Sequence, residues 1–216
     1  MEEKRLRIGV QIGSFNPIHY GHIRVLEHSL SKLDKVVVVP ASNPYGKTDM
    51  AELDHRLIMV WKGIEDTIHP VLRTNITISD IDRRVGGYTS DVLEGLQKEY
   101  PNSELVLILG EDLYEGLYNF HKAEWILENF EVMVFSRLYK KLDENKSYNS
   151  IFSSLVKKKI TFITGWGGKN ISSTMIREII KQHKDLNDGS DLLFKLAYYT
   201  SAGVSSYIER NGLYGL

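Results

Sequence analysis

The sequence predicts a doubly wound α/β fold: a mostly parallel sheet with helices on both faces and a small helical part at the C-terminal end. Three observations predict it. Runs such as Lys35-Val36-Val37-Val38-Val39-Pro40 have the near-continuous apolar character of strands buried on both faces. Stretches with apolar residues at helical spacing separate these runs, so strand and helix alternate at least five times. The first strand passes to the first helix through a glycine-bearing turn, Gly13 to His22, at the edge where such sheets bind ligands.

Leu6 to Ile12 reads as the first buried strand, and Ile23, Val25, Leu26 and Leu30 fall on one face of the helix that follows. With Lys35–Pro40 they form a βαβ unit, which is right-handed as a rule. Ala41 to Thr48 is a turn-rich loop at the carboxyl end of the second strand. A helix from Leu53 to Ile64 would bury Leu57, Ile58, Val60, Trp61 and Ile64, leaving Arg56 on its polar side. Val71 to Ile81 alternates in part and suggests a strand. A charged, glycine-bearing loop from Ile81 to Thr89 precedes a helix from Asp91 to Glu99, capped by Ser90 or Thr89 and broken by Pro101-Asn102. Glu104–Leu109 is another strand, with Gly110-Glu111-Asp112 at its carboxyl end and Phe120, His121 and Trp125 beyond. Val132–Phe135 is a strand ending at Ser136-Arg137. The polar, lysine-rich stretch from Leu138 to Lys159 reads as a connection, and Ile160–Thr164 as a last strand. Ser172, Ser173 and Thr174 can open a helix through Ile176, Ile179 and Ile180, and two short helices over Leu192–Leu216 close the fold.

At 216 residues the chain is expected to be one domain over 1–216, with about 185–216 as the helical closure. Twenty-seven basic residues against 28 acidic ones leave a net charge of −1, which excludes a nucleic-acid binder held by a broad basic face. The absence of cysteine excludes disulfides and thiolate metal sites and fits a reducing compartment. The charged start Met1-Glu2-Glu3-Lys4-Arg5 leads directly into a strand, and no apolar run approaches about 20 residues. No signal peptide, membrane span or membrane partner is expected; the expectation is a soluble, cytoplasmic protein.

The chemistry-bearing residues collect on the loops of one sheet edge. His19 and His22 lie three apart at a helix start, where free N–H groups and the helix field favour an anion. A lone pair of histidines at this spacing is more often an ordinary helix surface. As half of a zinc site it lacks the further ligands that zinc needs. A second anion-binding start, Ser172-Ser173-Thr174 with Arg177 one turn in, changes the weight of the first. Lys47 in the loop after the second strand is either a solvated lysine or a phosphate ligand.

His19-Tyr20-Gly21-His22 and Ile171-Ser172-Ser173-Thr174-Met175-Ile176-Arg177 together resemble the HxGH and ISSTxxR motifs of a nucleotidyltransferase superfamily with a Rossmann-like fold. Within it the chain is most similar to the nicotinate- and nicotinamide-mononucleotide adenylyltransferases. The likeness runs almost end to end. Gly13 to His19 matches the first turn, Asp82-Arg83 with Gly87-Tyr88-Thr89 resembles the pyridine-recognising ER…SYT loop, and Gly110-Glu111-Asp112 resembles GAD. Val204-Ser205-Ser206-Tyr207-Ile208 with Gly212-Leu213-Tyr214 resembles the terminal helix. The departures are Asp82 for Glu, Gly87 for Ser, Asn43-Pro44-Tyr45-Gly46-Lys47 for a PPHK loop, Phe120 for a stacking tryptophan and Ser201 for proline.

The resemblance implies adenylyl transfer from ATP to a pyridine mononucleotide, with Mg²⁺ accompanying ATP and no protein metal site. His19, His22, Lys47 and Arg177 would be catalytic. Gly13, Ser14, Phe15, His19, His22, Gly110, Asp112, Ile171, Ser172, Ser173 and Arg177 would bind ATP, and Asn16, Lys47, Tyr88, Thr89, Phe120 and Arg137 the mononucleotide. Nicotinate mononucleotide is the expected acceptor. Nicotinamide mononucleotide, dual specificity, another adenylyl- or cytidylyltransferase acting for example on phosphopantetheine, and a non-catalytic nucleotide-binding regulator remain open.

Overall fold

The computed structural model describes residues 5–43, 49–136, 159–164, 171–186 and 191–216. Six strands form one all-parallel sheet: β1 (Leu6–Gly13), β2 (Lys35–Pro40), β3 (Ile76–Ile78), β4 (Ser103–Gly110), β5 (Glu131–Phe135) and β6 (Ile160–Ile163). Their order, β3-β2-β1-β4-β5-β6, is Rossmann-like. The chain winds outward from β1 in one direction and then, from β4, in the other. A crevice therefore opens beyond the carboxyl ends of β1 and β4, where Gly13 and Gly110 end their strands.

The period-two alternation of strands builds two cores. Val36, Val38, Val106, Ile108, Met133 and Phe135 face one layer, while Val37, Val39, Leu105, Leu107, Val132 and Val134 face the other. On the first face lie α1 (Tyr20–Leu30), α2 (Leu53–Thr67), α8 (Ser173–Leu186), α9 (Leu192–Leu196) and α10 (Ala202–Arg210). The second is covered mainly by α5 (Thr89–Glu99) and α7 (Ala123–Asn129). The short α3 (Pro70–Arg73), α4 (Asp82–Val85) and α6 (Glu111–Glu115) fill connections.

Four sequence expectations are corrected. Val71 to Ile81 is not one strand: His69 accepts the N–H of Val71 and Pro70 opens a single helical turn, so only Ile76–Ile78 joins the sheet. The loop from Ile81 to Thr89 contains the helical turn α4. The helix after it starts two residues earlier than expected, at Thr89 rather than Asp91: Tyr88 is the boundary residue and Ser90 is buried inside the first turn. Finally, α2 is rotated relative to the expected face. Arg56, Met59, Val60, Gly63 and Ile64 are buried, whereas Ile58 and Trp61 are exposed. A buried arginine in the core-facing stripe is what shifted the apparent apolar face.

Candidate functional site

The turn after β1 is shaped by its own side chains. Phe15 sits at φ 44°, a strained backbone for an aromatic, and its ring lies over Gly13, where a Cβ would stand 3.1 Å from it. The Phe15 ring meets His22 edge-on at 4.9 Å. Asn16-Pro17 is a cis peptide. His19 then closes the turn in extended conformation and α1 begins.

The histidine pair has defined roles in this geometry. Their rings stack with centroids 3.7 Å apart, His19 beneath at 2% exposure and His22 half-buried above it. The backbone N–H of His19 donates to Nδ1 of His22 at 3.3 Å. That nitrogen must accept, so the neutral imidazole of His22 carries its proton on Nε2 and is a hydrogen-bond donor there. Gly21 is required by the pair itself: a Cβ on it would lie 2.9 Å from Cε1 and Nδ1 of His19.

The second motif docks directly on the first. The hydroxyl of Ser173 donates to the carbonyl of Pro17 at 2.8 Å, and Nη1 of Arg177 donates to the carbonyl of Asn16 at 2.8 Å. The Ile171 carbonyl lies 3.9 Å from where a Cβ of Gly21 would be. Ser172 accepts the N–H of Met175, capping α8, and keeps its own O–H to give. Ser173, by contrast, has spent its one hydroxyl proton on Pro17. Arg177 also reaches the Thr174 hydroxyl at 3.3 Å, so its fork still has N–H groups to offer an anion.

Other predicted residues are placed differently. Asn16 is 2% exposed and its amide is committed internally: Nδ2 to the Asp49 carbonyl, Oδ1 to the Ala51 N–H and the Tyr214 hydroxyl. It braces the turn from within. Asp112 folds back over Gly110, with Oδ1 2.5 Å from the position of a Cβ there, so this glycine admits the carboxylate. Between them, Glu111 accepts the Ser136 hydroxyl at 2.6 Å. Tyr88 is 55% exposed and its ring stacks on His121 at 4.4 Å, while Nδ1 of His121 meets the buried Ser90 hydroxyl at 2.9 Å. Thr89 is half-buried in the first turn of α5, and Phe120 is partly buried against the second core. Lys47 and Arg137 lie outside the described residues.

Two residues whose buried bracing part the sequence did not show tie this site together. Arg56 is 1% exposed, and its guanidinium donates to the carbonyls of Ala51, Ser14, Ala41 and Ser42 at 2.9, 2.9, 2.7 and 3.4 Å. Burial lowers its pKa below the usual arginine range, opposed by nearby Tyr214 and Asp82. Asp82, 2% exposed, accepts the N–H of Ser42 at 2.6 Å and also the Ser42 hydroxyl. Together they fix the exit of β2 against the turn after β1. The only signal for Arg56 was its place among apolar residues on a helix, and nothing in the sequence distinguished it from a surface charge.

The cytidylyltransferase-like family model matches residues 10–179. A Flavobacterium psychrophilum protein named "Probable nicotinate-nucleotide adenylyltransferase" is 35% identical over 187 residues, spanning 84% of this chain and 90% of the relative. One of the same name from Lachnoclostridium phytofermentans is 26% identical over 214 residues, spanning 96% and 98%. Among solved structures, the Plasmodium falciparum nicotinic acid mononucleotide adenylyltransferase complexed with NaAD superposes with a TM-score of 0.78 at 22% identity, covering 97% of this chain and 98% of that one. At that identity the structural likeness is one of fold.

Proposed function

Since the chain belongs to the cytidylyltransferase-like family, we propose that it transfers the adenylyl group of ATP to nicotinate mononucleotide, giving nicotinate adenine dinucleotide and pyrophosphate in NAD biosynthesis. The observation that carries this reading is the docking of the Ser172–Arg177 helix start onto the Gly13–His22 turn. It brings a helix start with open N–H groups and the Arg177 guanidinium against the backbone of the turn that carries His22. The names of the relatives select the pyridine substrate.

The acceptor phosphate is already an anionic nucleophile at neutral pH, so no strong base is required. Positioning and neutralisation of developing charge carry the rate. His22 donates from Nε2 to the α-phosphate, where charge builds in the transition state. The buried ring of His19 and the backbone N–H it offers hold His22 in that tautomer and orientation. Arg177, the Ser172 hydroxyl and the open N–H groups at the start of α8 hold the β- and γ-phosphates and the departing pyrophosphate. Lys47 joins them as a further phosphate ligand. The mononucleotide lies toward Tyr88, Thr89 and Phe120. Magnesium enters as part of the Mg·ATP substrate. Its ligands would be phosphate oxygens and water, as is usual for this cation on a nucleotide. No helix of the described residues is long and apolar enough to cross a membrane.

The test is pyrophosphate release from ATP and Mg²⁺ with nicotinate or nicotinamide mononucleotide. Turnover of the acid form supports the reading, a strong preference for the amide reassigns the acceptor, and turnover of neither ends it. His22→Ala should lower kcat by about two to three orders of magnitude, as loss of one charge-stabilising donor does, with the melting temperature preserved. A near-normal rate would remove His22 from the mechanism.

A further inference from the structure

We propose that Tyr214, in the C-terminal turn, is a positioning residue for the triphosphate end of the site, acting through Asn16 and Arg177. The last turn, Leu213–Gly215, is folded against two elements of the site. Gly212 at φ 59° and Gly215 at φ 91° flank Tyr214, itself at φ 63°, a left-handed backbone that is costly for an aromatic residue. Lys184, on the helix that carries Arg177, donates to the Gly215 carbonyl. The tyrosine hydroxyl turns inward and donates to Oδ1 of Asn16 at 2.9 Å. Burial raises its pKa far above the ordinary 10.0, outweighing the opposing fields of nearby Arg177 and Arg56. It is therefore a neutral donor at any physiological pH.

Asn16 is where this bond becomes functional. The same Oδ1 accepts the Ala51 N–H, Nδ2 donates to the Asp49 carbonyl, and the Asn16 backbone carbonyl accepts Nη1 of Arg177. One residue thus connects the turn bearing the histidines, the Asp49 and Ala51 backbone ahead of α2, and the arginine of the second motif. Tyr214 is the outer hold on that junction. An open groove of about 630 Å³ runs beside it, walled by Tyr214, Arg177, Thr174, His55 and Lys181. Among the described residues the side chain of Asn16 has no other bond to the C-terminal turn. The strained backbone of Tyr214 is maintained where its hydroxyl meets the phosphate-binding turn.

This inference rests on the proposed reaction for its kinetic arm only. Tyr214→Phe removes the hydroxyl and keeps the buried ring. Loss of one hydrogen bond predicts an ATP KM raised by about three- to ten-fold, with the mononucleotide KM little changed and the melting temperature lowered by no more than about 2–4 °C. In an Arg177→Ala background the same substitution should have no further effect on the ATP KM, because the residue it acts through is gone. Calorimetric titration of ATP should show the same weakening and the same loss of additivity. An unchanged ATP affinity overturns the proposal. So does a change that is additive with Arg177→Ala, or one that lowers stability and affects both substrates alike, as a purely structural tyrosine would. If the wild-type protein turns over no pyridine mononucleotide, the proposed reaction fails while the titration arm still decides the role of Tyr214.

Discussion

A methyl group on residue 21 would stand 2.9 Å from the His19 ring, and this explains the third position of the first motif without reference to a substrate. The stacked histidines need that volume. Residue types whose role is set by such local geometry were legible in the sequence: His19, Gly21, His22, Ser172 and Arg177 form patterns of fixed spacing. Arg56 was not, because a single arginine in a helix looks the same whether it faces water or four carbonyls. Its weight should nevertheless be large. Arg56→Ala removes the guanidinium that donates to the carbonyls of Ser14, Ala41, Ala51 and Ser42. At about 1–3 kcal/mol for each buried group left unsatisfied, a loss of roughly 3 kcal/mol or more is expected even if water reaches some of them. For a chain of this length that corresponds to a fall of about 6–12 °C in melting temperature. Arg56→Lys should recover only part of it, since one ammonium cannot span four acceptors as a planar fork does. A melting temperature within about 2 °C of wild type for the alanine variant would contradict this account.

Elements whose character depends on their own sequence were the readable ones. The β-branched strands, the helix after the histidine turn and the helix after Ser172 lie where periodicity and capping put them. Elements decided by packing were not. The face of α2 was misjudged because Trp61 and Ile58 carry the apolar signal while Arg56 and Gly63 occupy the interior. The three-residue β3 is too short to show alternation, and the turn of α3 before it owes its existence to Pro70 and His69. The departure at residue 201 can be assessed at this scale. Ser201 accepts the Val204 N–H at 3.3 Å, and its carbonyl takes the N–H and hydroxyl of Ser205. It is a working N-cap for α10, which packs on α2 and so supports the helix bearing Arg56. Ser201→Ala should therefore cost about 1 kcal/mol, read as a melting temperature lower by about 2–4 °C with kcat and both KM values preserved. A loss of catalytic rate at intact stability would mean that this serine does something other than cap.

Across the whole molecule, the balance of titratable groups sets where the fold is most stable. Burial raises the pKa of Tyr20, with a smaller push from Asp66, and burial raises those of Tyr114, Tyr207 and Tyr214. Each would ionise near 10.0 in the unfolded chain. Above that pH the unfolded state sheds protons that the native state keeps, so the unfolded state is favoured and stability falls as pH rises. The opposite limb comes from His28, whose pKa is lowered first by burial and then by Lys32. Below 6.5 the unfolded chain takes up a proton that the native imidazole resists, so stability falls as pH drops through that value. A plateau between these two limbs is the expected profile of melting temperature against pH. Tyr214 has the largest upward shift and its hydroxyl is bonded to Asn16. Tyr214→Phe should accordingly flatten the alkaline limb, because phenylalanine has no proton to lose on unfolding. An alkaline limb of equal steepness in that variant would show that ionisation of the C-terminal turn does not contribute to it. The same measurement bears on the positioning role of Tyr214: a hydroxyl held neutral by burial is one that keeps donating to Asn16 throughout the plateau.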